Sequence, residues 1–151
     1  MKTTLNEKNQ GLVVYKSPVC ISTPSDNIGI DQITIDDQFT TIDFVYIVPQ
    51  KHQYGAWIQI EGDAYIRPFG SSECYPLIKA LHISIAPTKY YLDYPGQVHR
   101  FSLVFLALPK EVRQIDFIEK KVKGTYFNFF NIMLEQKTFS IINTNQNQLL
   151  C

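Results

Sequence analysis

Residues 101–119 read FSLVFLALPKEVRQIDFIE. In the first half Phe101, Leu103, Phe105 and Ala107 alternate with Ser102, Val104 and Leu106. A period of two marks a β-strand, whose side chains point to opposite faces in turn. From Val104 onward both faces are apolar, which suits a central strand. Pro109 cannot donate to a ladder and ends the run, and KEVRQ connects. A short helix over 108–114 (LPKEVRQ) is the best helical candidate in the chain, with a turn as its alternative. Ile115, Phe117 and Ile118 then return to the core. Ile115 and Phe117 share one face, so Asp116 is expected to look outward, with Glu119 at the strand end where the polar turn KKVKG begins. A glycosidase-type pair needs two carboxyls converging across one bond. A separation of three along a strand puts them on opposite faces instead. The pair therefore reads as structural. A β-bulge at Asp116 is the local feature that would turn it toward a backbone amide.

The same alternation recurs along the chain. In FTTIDFVYIV (39–48), Ile42, Phe44, Tyr46 and Val48 fall on one face. In GAWIQI (55–60), Ala56, Ile58 and Ile60 share a face and Trp57 takes the other. In YPLIKALHISIAP (75–87), Leu77, Leu81, Ile83 and Ile85 are expected to point one way, against His82 and Ser84. QIDFIE, TYFNFFNIML and KTFSII read as further strands, with weaker candidates in LVVY and IDQITID. The breaks between them (STPSDN, VPQKHQYG, EGD, RPFGSSECYP, DYPGQ, KGT) are rich in turn formers. The predicted fold is all-β: an antiparallel two-sheet sandwich, Ig-like or jelly-roll-like, with a closed barrel as the alternative. A single domain is expected over 1–142. Residues 143–151 form a polar tail too poor in apolar groups to offset ordering entropy.

Composition narrows the function. A chain of 151 residues, 45% hydrophobic, can bury about 70% of its unfolded surface, so neither metal nor disulfide is needed to fold it. Fourteen basic residues balance fourteen acidic ones, which argues against a nucleic-acid surface. Lys120, Lys121 and Lys123 read as a solvated turn beside Gly124. Cys20, Cys74 and Cys151 form no C-x-x-C and read as buried free thiols, a Cys20–Cys74 bridge requiring the fold to bring them together. His52, His82 and His99 show no metal-ligand spacing, and no metal or cofactor is expected. No G-x-S-x-G or phosphate-cradling glycine loop occurs. The N-terminus MKTTLNEKNQ lacks an apolar leader core and no apolar run could span a membrane. The chain as written is thus expected in the cytoplasm, or in the envelope if a signal has been removed.

The aromatics are the remaining lead. Trp57 lies on the second face of its strand, and KYYLDYP places Tyr90, Tyr91 and Tyr94 in a loop or edge region. Exposed aromatics near one another can contact a protein, peptide or carbohydrate. Covering the open ends of a sandwich core is the structural alternative for the same residues. The expectation is a non-enzymatic binding module. Its competitors are a hydrolase-type enzyme with a loop-assembled site and a structural domain that supports a partner.

The span 39–134 resembles an accessory β-sandwich domain of secreted or envelope proteins of gut-type bacteria. The matching stretches are TTIDF (40–44), GAWIQIEGDAYI (55–66), CYPLIKALHISIAP and FSLVFLALPKEVRQIDFIE, followed by the aromatic-rich YFNFFNIML. The F-x-L-x-F-x-x-L-P strand before IDFIE is the most specific of these. In that family the domain often precedes a thioredoxin-like domain of the AhpC/TSA type. The resemblance implies an accessory sandwich with no catalytic residues of its own. No thioredoxin-like segment or secretion signal is seen in this sequence, so the redox setting and the compartment do not carry over.

Overall fold

The computed structural model describes residues 11–122 and 124–135. Eleven strands and no helix occur among them. In chain order they are β1 (Val13–Lys16), β2 (Cys20–Ser22), β3 (Ile28–Ile35), β4 (Phe39–Ile47), β5 (Ala56–Ile58) and β6 (Tyr65–Pro68). There follow β7 (Tyr75–Leu81), β8 (Tyr90–Leu92), β9 (Val98–Leu106), β10 (Gln114–Ile118) and β11 (Phe129–Met133). Nine pair antiparallel in the order β1-β3-β4-β9-β7-β6-β10-β11-β2, and β5 and β8 form a small second sheet. The expected strand KTFSII and the tail 143–151 lie outside the described residues.

The large sheet curls until its halves face each other, giving an antiparallel β-sandwich. Strand β7 makes the first corner: Tyr75 and Pro76 pair with β6, whereas Leu77–Leu81 pair with β9 after a register shift between Leu77 and Lys79. Ser17–Val19 make the second. Ser17 has a positive φ of 46° and Pro18 follows, so β1 ends against β3 and β2 begins against β11. Backbone bonds from Ser17 N to Asp31 O (2.7 Å) and from Met133 N to Val19 O (2.8 Å) hold the crossover to each half.

Between the halves lies an aromatic core. Phe44 of β4 stacks on Phe101 of β9 at 4.9 Å between centroids and meets Phe117 of β10 (5.5 Å) and Phe129 of β11 (5.7 Å). Phe105 meets Phe117 edge-on at 5.8 Å. Such tilted contacts add roughly 0.5–1.5 kcal/mol per pair beyond burial. The inward set of β9, namely Phe101, Leu103 and Phe105, is fully buried, and β9 lies in the sheet interior between β4 and β7. Ile42, Phe44, Tyr46 and Val48 are buried on the facing side of β4 and beyond its end.

One strand expectation needs correction. The stretch 75–87 is not one alternating strand. The bulge at Leu77/Lys79 and the positive φ of His82 (64°) reset its phase, leaving Leu81 and Ile85 exposed while Ile83 is buried. Between Leu108 and Gln114, where β10 begins, the chain takes the turn given as the alternative to a helix, closed by Val112 N donating to Pro109 O (3.1 Å). The Thr40 hydroxyl, buried, accepts the Leu108 amide at 2.9 Å and fixes the chain leaving β9.

Candidate binding surfaces

Strands β5 and β8 sit where β4 ends and β9 begins. Their inner side chains, Ile58 and Leu92, join the core, and Tyr90 tilts onto His99 at 4.7 Å. Register places Trp57 opposite Tyr91. Alternation turns both outward, where they are 46% and 69% exposed. Lys89, two residues before Tyr91 and on the same face, holds its ammonium 4.6 Å from the centre of the Trp57 ring. Directly opposed residues have Cβ atoms about 5 Å apart, so the two rings form one surface. Tyr94, in the turn after β8, is also exposed. Tyr90, grouped with these residues by sequence, faces the other way. The structure thus keeps Trp57, Tyr91 and Tyr94 outside and removes Tyr90 from the exposed face. Gly55 positions this sheet: its φ is 95°, and a Cβ there would lie 2.3 Å from Leu92 O.

The carboxylates of QIDFIE are not where alternation alone would leave them. Asp116 does project from the outer face of β10, but it is 3% exposed. In β11, Phe130 and Asn131 together oppose Asp116, a bulge that the register shift and the positive φ of Asn131 (56°) both record. The bulge aims the Asn131 amide at Asp116 Oδ1 (2.9 Å), while Arg67 Nε on β6 donates to Oδ2 (3.2 Å). Gln114 Nε2 completes the strip by donating to Asn131 Oδ1 at 3.1 Å.

Glu119 is 4% exposed and holds a junction rather than a solvated turn. Its Oε1 accepts the Phe127 amide (2.7 Å) and its Oε2 the Glu61 amide (3.1 Å). Burial raises its pKa above the ordinary value, opposed by those two bonds. Both carboxylates thus link separate stretches of chain: Asp116 joins β6 to β11, and Glu119 joins the turn at Glu61 to the approach to β11. A bulge bringing a backbone amide to Asp116 was the exception the sequence reading allowed for, but the extra residue lies in the partner strand β11, which the alternation of QIDFIE does not reveal.

Beyond these carboxylates an open-sided groove of about 610 Å³ runs over the outer face of β10 and β11. Ile118 forms its floor, buried on the opposite side of β10 from the aromatic core, with Phe130 alongside. Arg67 forms one wall, and the loop carrying Lys121, Val122 and Tyr126 the other. Asn128 staples that loop: its Oδ1 accepts the amides of Glu119 (2.8 Å) and Lys120 (3.2 Å), and its Nδ2 donates to Lys120 O (2.9 Å).

Among the described residues no three His, Cys, Asp or Glu side chains converge on a metal position. His99 Nε2 lies 2.6 Å from the backbone oxygen of His82, not from its ring. Cys20 and Cys74 are both free. Cys20 is half-buried, which pushes its thiol up to about 11, whereas Cys74 is exposed, against the expectation of burial. No helix among the described residues is long and apolar enough to cross a membrane. No family model, curated protein or solved structure matches the chain.

Proposed function

We propose that the chain is a non-enzymatic binding module that engages a protein segment through the aromatic face of β5 and β8. The observation that carries this reading is the exposed Trp57–Tyr91 pair, opposed in register and flanked by Lys89. Tryptophan and tyrosine supply large contact area with few rotors and dominate binding hot spots. Lys89 favours a protein segment over a sugar. A stacked sugar ring would have to displace an ammonium from one face of Trp57, at a cost of about 0.5–1 kcal/mol. A peptide can pack against the ring edges and give Lys89 a carboxylate or carbonyl. An accessory role of the kind suggested by the resemblance of 39–134 is compatible with this reading and belongs to the same proposal.

Trp57 is the sole tryptophan, so its emission reports this face directly. Peptides selected against the protein from a displayed library are titrated into wild type, Trp57→Phe, Tyr91→Ala and Lys89→Gln. Binding that shifts Trp57 emission and weakens at least tenfold in Tyr91→Ala supports the proposal. Selection of peptides indifferent to Tyr91 and Lys89, or emission changes produced by oligosaccharides alone, would overturn it.

A further inference from the structure

The groove over β10 and β11 lies on strands remote in sequence from the aromatic face, and nothing in that reading uses it. Its floor is apolar, built by Ile118 and Phe130. Its charge is one-sided. Arg67 and Lys121 line it and, among the described residues, no lining residue is acidic. Lys120 adds a further cation nearby, 5.2 Å from the ring centre of Tyr126. Asp116, the carboxylate bonded to the lining Arg67, is already engaged by Arg67 Nε and the Asn131 amide. That engagement matters for how Arg67 is presented. Among the described residues its one side-chain hydrogen bond is through Nε, so both terminal nitrogens are left for another acceptor, and the side chain is 25% exposed. A guanidinium held at its inner edge and open at its outer edge is set up for forked recognition of a carboxylate.

We infer that this groove binds a small amphipathic carboxylate. The acid group pairs with the terminal nitrogens of Arg67, Lys121 supplies a second cation at the rim, and an alkyl or aryl body lies on Ile118 and Phe130. The volume falls within the range of small-molecule sites. The Asn128 bonds fix the chain at Glu119 and Lys120, where the loop wall begins, and Asn128 itself lines the groove, which lowers the ordering cost of binding. The charge pattern rejects cationic ligands, and the apolar floor gives little to inorganic anions.

The test uses octanoate and 3-phenylpropionate, each paired with its uncharged amide, titrated into the full chain and followed by backbone amide NMR. At least one acid is expected to shift the amides of Ile118, Val122, Tyr126 and Phe130 while leaving Trp57 unmoved. Its amide should bind at least tenfold more weakly. Arg67→Lys keeps a cation for Asp116 but removes the fork, and should weaken the acid about tenfold. Should that variant prove unstable, Val122→Glu, at an exposed loop position, places a like charge at the wall and should weaken binding by a similar factor. Failure of both acids to bind at millimolar concentration, equal binding of acid and amide, shifts centred on Trp57, or binding confined to peptides with a free C-terminal carboxylate would overturn the inference.

Discussion

Glu119 ties three separate pieces of chain together through one side chain: the end of β10, the turn at Glu61 and the approach to β11. Burial raises its pKa, so it holds its proton more tightly when folded than when unfolded. Its contribution to stability is therefore fullest below the ordinary value of 4.5 and declines as the pH rises through the raised one. Denaturation of wild type and Glu119→Gln across this range should show the wild type losing ground to the variant as pH rises. A difference growing in the other direction would mean that the two amide bonds outweigh desolvation. Asp116 makes a second residue-scale prediction. Asp116→Asn leaves Arg67 without its charge partner in a mostly buried setting, and should cost about 1–3 kcal/mol by chemical denaturation. Gln59 gives a third, of opposite sign. Its Oε1 is buried without a hydrogen-bond partner among the described residues, so Gln59→Met should leave the melting temperature unchanged or raise it.

At the scale of elements, strand identity was legible where alternation ran unbroken and illegible where a bulge reset it. β4 and β9 were readable because nine residues in each keep one phase, and their inward side chains are the buried ones. Truncating Phe105 to Ala should cost ~3–5 kcal/mol in a denaturation series, since it is fully buried among other rings. β7 was misread because its register shift and the left-handed His82 follow from which strands it bridges, which is a property of the tertiary fold. The burial of Asp116 was hidden for the same reason: the bulge belongs to β11, not to QIDFIE. Of the candidate surface, Trp57, Tyr91 and Tyr94 were visible in sequence, and the orientation of Tyr90 was not. The groove left no sequence signal, because Arg67, Ile118 and Tyr126 meet only after β6, β10 and the loop before β11 assemble. Gly55→Ala tests how the aromatic face is held. The added methyl meets the Leu92 carbonyl, so β5 should separate from β8 and Trp57 emission should shift, with the Phe44–Phe101 core retained by near-UV circular dichroism.

For the molecule as a whole, the two edge strands of the curled sheet, β1 and β2, are neighbours in the chain, joined by Ser17–Val19. This carries a consequence for the order in which the protein can be made. β1 finds its partner β3 after little more chain has been synthesised, but β2 pairs only with β11, at the far end of the described residues. A nascent chain therefore carries β2 with its backbone donors and acceptors unclaimed by β11 until Met133 has been synthesised. Until then Val19 and Ile21, which stay exposed even in the finished fold, lie beside an open strand edge. Folding cannot be vectorial in the sense of each strand docking as it emerges. The sandwich closes late, when β11, the last of the described strands, arrives to meet almost the first, and a chain stalled before Phe129 would present β2 as a ready template for another copy of itself.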